Sequence, residues 1–399
     1  MNSEINFDFP CKKVELLIIA GEHSGDQHAA EIVKKLKAKH PGLNIYSFGG
    51  KCLSEAGAHL ILDMTKFSVV GFMEVVFKCL FFRKLLKKIV AWIEKHKPLV
   101  ICLVDCPGLN FRIARALFEK KLSAKAGGSI KLYYYISPQI WAWKGKRRFK
   151  LEKYVDSLGT IFEFEKKAYS DTTLDVKYVG HPFADIDISQ VVSYEKDGPV
   201  LLLPGSREAA IGKIFPKMLE SFSHFSKQEP AKMATVLYAS DKTLAIMRKI
   251  LNKKFQHLAQ KVSFIPDGRR VETCAALMSS GTMSLKCCLA GIPGAILYGT
   301  SYLTFAIAKR LIKLKYIGIA NILLNREAWP EFIQHAINSK VVAKYLLDCV
   351  SVPDILNRHE NDANELKSTI GAKPEIPPEE WLCAALDAVP ESDGTTGKL

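Results

Sequence analysis

The chain has no two cysteines separated by two residues, although its 399 residues include ten of them. That absence excludes the spacing of zinc ribbons and thioredoxin-like redox sites and leaves reduced thiols of a cytosolic protein as the expectation. A basic, apolar leader is missing too: MNSEINFDFPCKKVELLIIAGE carries carboxylates ahead of its first apolar run, so no export is expected. Long apolar runs are also absent. Phe67 to Phe82, the greasiest stretch, is interrupted by Glu74 and Lys78 and falls short of the ~20 apolar residues that span a bilayer. There is no G-x-G-x-x-G and no G-x-x-x-x-G-K-[ST], which argues against a nicotinamide enzyme or a P-loop ATPase. No histidine–carboxylate spacing suits a metal, so neither metal nor cofactor is expected.

What is present is charge and alternation. Fifty-six basic against 41 acidic side chains leave a net charge of +15, which points to an anionic partner: nucleic acid, a membrane surface or a phosphorylated substrate. Short apolar runs alternate with helical patterns from end to end, the mark of an α/β protein with parallel sheets wrapped by helices. Strands are expected at 14–20, 99–104, 131–136, 158–164 and 176–179, then at 200–203, 235–239, 262–265, 276–279 and 295–298. The polar segment 185–199 between the two sets separates domain 1–186 from domain 187–370, and 371–399 is expected to form a returning helix with a disordered tail.

Ligands of open parallel sheets sit beyond the carboxyl ends of the strands, so the residues just after each strand matter most. Gly205, Ser206 and Arg207 follow one strand, and Ser280, Gly281 and Thr282 follow another, each leading into a helix. Backbone N–H groups, hydroxyls and a guanidinium there suit a diphosphate, although either turn alone also reads as plain helix capping. Asp105 ends the run LVICLV, where a carboxylate could accept a proton or simply form the turn ahead of Pro107. The first strand leads into Glu22, Ser24, Gly25 and Asp26. Apolar and basic residues lie side by side at Phe72, Met73, Val76, Phe81, Phe82, Arg83 and Lys87, and again at Trp141, Trp143, Arg147 and Arg148. Such composition fits a lipid-headgroup surface, single-stranded nucleic acid or an ordinary packing face.

In order, AGEHSGDQH (20–28), VVGFMEVV (69–76), DCPGLNFR (105–112), YISPQIWAWKGKR (135–147), FEFEKKAY (162–169), VGHPFAD (179–185), LLPGSRE (202–208), SSGTMSL (279–285), AGIPGAILY (290–298) and NILLNREAWPEFIQ (321–334) resemble the lipid-A-disaccharide synthase family, inverting glycosyltransferases. The resemblance implies two Rossmann-like domains facing a central cleft, the GT-B architecture. It implies a metal-independent, cytoplasmic enzyme peripherally associated with the inner membrane, acting on UDP-2,3-diacylglucosamine as donor and 2,3-diacylglucosamine 1-phosphate as acceptor. The inner-leaflet phospholipid surface is then the remaining partner, nucleic acid is not one, and a homodimer is compatible. By the same resemblance Asp105 is the general base. Gly205, Ser206, Arg207, Ser280, Gly281, Thr282, Asn321, Arg326 and Glu327 lie on the donor side, and Glu22, Ser24, Gly25 and Asp26 on the acceptor side. Lys286 stands where the family usually carries a glutamate that grips the nucleotide ribose. The alternatives are a UDP-N-acetylglucosamine transferase or epimerase acting on a non-acylated sugar and, in another class, an RNA-binding protein.

Overall fold

A computed structural model describes residues 12–67, 75–142, 144–299, 315–334 and 337–388. It divides into two compact units, the first running to Pro182 and resuming at Lys373, the second spanning Phe183–Ala372. The change of unit thus falls ahead of the polar 185–199 segment. Phe183 is buried in the second unit, where the Lys286 ammonium lies 5.0 Å from its ring centroid.

Seven parallel strands build the first unit: β1 (Leu16–Ala20), β2 (Ile45–Gly49), β3 (His59–Asp63), β4 (Val100–Val104), β5 (Lys131–Tyr135), β6 (Ser157–Thr160) and β7 (Asp175–Tyr178). Their order is β3-β2-β1-β4-β5-β6-β7. Helices α1 (His23–Lys39), α2 (Lys51–Glu55), α3 (Val75–His96), α4 (Pro107–Glu119) and α5 (Arg147–Tyr154) connect them. Both faces of the sheet are covered, which is why β1 reads as an unbroken apolar run. Leu17 and Ile19 join the cluster under α3 and α4, whereas Leu16, Ile18 and Ala20 join the one under α1. Strand β6 stops at Thr160, short of the expected 164, because residues 163–169 turn into a 3₁₀ helix. Strands β2 and β3 were not expected.

The second unit repeats the plan. Strands β9 (Val200–Leu203), β10 (Ala234–Tyr238), β11 (Val262–Pro266), β13 (Ala275–Ser279), β14 (Gly294–Tyr298) and β15 (Glu331–Ile333) lie parallel in the order β11-β10-β9-β13-β14-β15. Strand β8 (Val192–Tyr194) pairs separately with β12 (Val271–Thr273). Its helices are α6 (Glu208–Phe225), α7 (Asp241–Lys254), α8 (Thr282–Leu289), α9 (Ile319–Leu324), α10 (Ser339–Ser351) and α11 (Pro353–Ile370). One core holds Leu202, Phe215, Phe222 and Leu346.

A last helix, α12 (Pro378–Asp387), belongs to the first unit. Trp381, Leu382 and Ala385 enter the cluster beneath α1, and the Trp381 indole donates to Ser157 Oγ at 2.9 Å. Residues 389–399 lie outside the described residues.

Candidate active site

The strand order of each sheet reverses once. In the first unit β1 is followed by β2 on one side while β4 occupies the other, so the crevice where α/β proteins bind ligands lies beyond the ends of β1 and β4. The loops there touch. A Cβ on Gly21 would lie 2.8 Å from Cys106 Sγ, so the β1 loop passes this close only as glycine. Gly25 packs against Val104, the last residue of β4. Burial and then the Glu22 charge push the Cys106 thiol up to about 11, a sign that the Glu22 carboxylate shares this edge with Asp105.

Asp105 and Cys106 both have φ of 43°, two successive side-chain-bearing residues in left-handed backbone. The Asp105 N–H donates to the Tyr135 carbonyl at 2.9 Å. Its carbonyl accepts from Tyr134 Oη at 2.6 Å and Asn110 Nδ2 at 2.7 Å. The carboxylate is half-buried. Ser24 is half-buried on α1, but Asp26 is fully buried and turned away. Its carboxylate accepts from the backbone of Gly50, Cys52 and Leu53, filling the start of α2. The Asp26 carboxylate is thus engaged in holding the start of α2.

In the second unit the reversal lies between β9 and β13, which pair in register from Val200–Ala275 to Leu203–Met278. Gly205–Arg207 and Ser280–Thr282 follow these two neighbouring strands and come together. Gly205 has φ of 92°, and a Cβ there would meet Ser279 Oγ at 2.9 Å. Arg207 is the N-cap of α6 and Gly281 that of α8; at α8 the Ser284 hydroxyl accepts from the Gly281 N–H (3.1 Å) and donates to its carbonyl (2.6 Å), while the first helical N–H groups, those of Glu208 and Thr282, have no capping side chain and suit an anion. Gly205, Ser206, Arg207 and Gly281 are exposed. Lys286 lies one turn into α8 with its pKa lowered by burial.

The other three expected donor residues are placed differently. Asn321 is fully buried: its amide donates to the Trp329 carbonyl (2.7 Å) and Glu331 Oε1 (2.8 Å), and its oxygen accepts from Trp329 N–H (2.9 Å). Arg326 spends its guanidinium on Asp362 (2.6 Å) and Glu365 (2.6 and 3.0 Å) of α11. Glu327 is exposed and accepts from Glu331 N–H at 3.1 Å. Glu331, unremarked in the sequence, organises this corner by also accepting from the N–H groups of Ile317 and Gly318, both at 2.8 Å. The Ile317 carbonyl in turn accepts from Ser280 Oγ at 3.3 Å, which ties the corner to the α8 turn.

The expected lipid surface is only partly exposed. Arg83 and Lys87 face solvent on α3, but Phe81 and Phe82 pack half-buried on the core, since this helix needs them to cover the sheet. Arg148 is bound two-pronged to Asp171 (2.6 and 2.5 Å), and the Arg147 guanidinium lies 5.8 Å from the Phe111 ring centroid. Trp141 donates its indole N–H to Glu165, 3.0 Å away. Glu165 is itself buried and pushed up to about 7 by that burial. Phe72, Met73 and Trp143, and the side chain of Val76, lie outside the described residues. Among the described residues no helix is long and apolar enough to cross a membrane, and no group of three potential metal ligands assembles.

Comparison with known proteins bears on this arrangement. A family model described as lipid-A-disaccharide synthetase matches residues 16–370. Lipid-A-disaccharide synthase 1 of Legionella pneumophila (strain Paris) is 35% identical over 370 residues, covering 90% of this chain and 93% of the relative. Lipid-A-disaccharide synthase of Coxiella burnetii (strain RSA 331 / Henzerling II) is 32% identical over 365 residues, covering 89% and 91%. Among solved structures, a UDP-GlcNAc 2-epimerase from Neisseria meningitidis bound to UDP-GlcNAc superimposes with a TM-score of 0.59 at 12% identity, covering 94% of this chain and 99% of that one. A UDP-N-acetylglucosamine 2-epimerase from Listeria monocytogenes gives 0.60 at 11%, covering 91% and 94%. At such identities the likeness concerns the fold alone, two Rossmann-like domains.

Proposed function

The chain belongs to the lipid-A-disaccharide synthetase family and is a glycosyltransferase that forms the lipid A disaccharide, and we propose how its residues divide that work. The donor is a UDP-sugar, UDP-2,3-diacylglucosamine; the acceptor is 2,3-diacylglucosamine 1-phosphate. The acceptor 6-hydroxyl attacks the anomeric carbon from the face opposite the diphosphate, forming a β-1,6 bond as the carbon–oxygen bond to UDP breaks. Asp105 takes the hydroxyl proton, a role worth about a hundredfold to ten-thousandfold in rate. The leaving diphosphate gathers negative charge, and the α6 and α8 N-termini with Arg207 stabilise it as it forms. Glu22 and Ser24 flank the acceptor, while Arg83 and Lys87 meet the phosphate groups of an inner-leaflet surface.

The observation that carries this assignment is the pair of helix starts at Glu208 and Thr282, whose first N–H groups no side chain caps, following adjacent strands where the strand order of the second sheet reverses. Purified protein given both acylated substrates in detergent should release UDP. Asp105→Asn should bind UDP as the wild type does while turning over at least about a hundredfold more slowly. UDP release by the variant at the wild-type rate would remove Asp105 from the role of base.

A further inference from the structure

We propose that Tyr134 and Asn110 are positioning residues that aim the Asp105 carboxylate; the proposal rests on Asp105 being the base. Strand β4 does not run straight into its loop. Asp105 and Cys106 both take left-handed backbone, φ 43° each, which is unfavourable for any residue carrying a Cβ. Such a conformation persists only where neighbours over-determine it. Here they are identifiable. The peptide joining Asp105 to Cys106 presents its carbonyl oxygen to two side-chain donors at once, Tyr134 Oη at 2.6 Å and Asn110 Nδ2 at 2.7 Å. The same Asn110 nitrogen reaches the Val104 carbonyl at 3.0 Å, bracketing Asp105 from the preceding peptide. The Asp105 N–H is fixed on the Tyr135 carbonyl at 2.9 Å.

Both donors come from rigid, buried elements. Tyr134 stands on β5 and Asn110 in the first turn of α4, and neither has exposed surface. Tyr134 sits within the apolar cluster of the first unit, where a phenylalanine would fill the same space; what the hydroxyl adds is the bond to Asp105. The Asn110 amide oxygen is buried with no hydrogen-bond partner. A side chain that leaves its acceptor unmatched while its donor reaches two carbonyls is held there for its donor. Because the rotation of the 105–106 peptide sets the backbone angle ψ of Asp105 and the angle φ of Cys106, these bonds fix the direction in which the Asp105 side chain leaves the strand end. A proton acceptor displaced by about 1 Å loses about a hundredfold in rate.

The test compares Tyr134→Phe, Asn110→Ala, Asp105→Asn and the double variant Tyr134→Phe/Asp105→Asn, using UDP release, UDP titration and thermal melting. Tyr134→Phe should lower kcat about 10- to 100-fold while KM for both substrates and the affinity for UDP stay within about threefold. Asn110→Ala should do the same. In the Asp105→Asn background Tyr134→Phe should cost nothing more, because a carboxylate that is gone cannot be misaimed. Wild-type kcat in a folded Tyr134→Phe protein, with Asp105→Asn impaired, overturns the positioning role alone. An equal loss from Tyr134→Phe with and without the carboxylate overturns it as well, since the hydroxyl then acts elsewhere. Wild-type turnover by Asp105→Asn removes the base itself, and the positioning proposal with it.

Discussion

The Asp26 carboxylate lies 2.6 Å from the backbone N–H of Gly50, and a Cβ on Gly50 would come equally close to its other oxygen. A residue in the first turn of α1 thus serves as the anchor of α2, bonding the N–H of Gly50 24 positions further on. Asp26→Asn leaves one oxygen to serve donors now held by two, and should lower unfolding free energy by about 1–3 kcal/mol in urea titration. Its affinity for UDP should be unchanged. A variant of wild-type stability that has lost turnover would instead return Asp26 to the acceptor side.

Two arginines of the second unit are predicted to behave oppositely. Arg207 is exposed beside the α6 start, whereas Arg326 is spent on Asp362 and Glu365. Arg207→Ala should weaken UDP at least about tenfold in calorimetric titration, the loss of one charge-assisted contact. Arg326→Ala should change it less than about threefold while costing about 1–3 kcal/mol of stability, because it strips the buried Asp362 carboxylate of its partner. The reverse ranking would move the diphosphate away from the β9 turn.

Glu165 and His181 should set opposite pH slopes in the first unit. Burial raises Glu165 to about 7, so the folded chain holds a proton that the unfolded chain releases near 4.5. Its contribution is full below that value and is lost as pH rises to about 7, amounting to at most about 3 kcal/mol. Burial, and then His28, lower His181 to about 3, so its contribution is full above 6.5 and is lost as pH falls towards 3. Melting curves of wild type and Glu165→Gln between pH 5 and 8 isolate the first effect. The wild type should lose stability relative to the variant as pH rises, and a constant difference between the two would contradict the assignment.

Much of this was legible because it depends on neighbours in sequence. Apolar runs such as LLIIA and VICLV are strands buried on both faces, and the residues immediately after them mark the sheet reversals. Strands β2 and β3 are harder to read because IYSFG and HLILD include Ser47, His59 and Asp63, whereas the equally short LLIIA and VICLV are apolar throughout. What spacing cannot convey is whether a polar side chain is already committed. Asn321 and Arg326 have the chemistry of ligand-binding residues, yet their partners lie 8 to 39 positions away and only the fold brings them near. Tyr134 went unremarked for the opposite reason, as an aromatic in a strand whose hydroxyl does work that its ring does not announce.

Helix α12 completes the first unit from the far side of the second, so the chain's order of synthesis is not its order of completion. A ribosome delivers all of Phe183–Ala372 before Trp381 emerges to cover Tyr133 and Ser157. The later unit is therefore whole first, while the earlier one waits with part of the sheet face beside α1 uncovered. A stop codon that removes only the last two dozen residues would damage the domain made first and spare its neighbour.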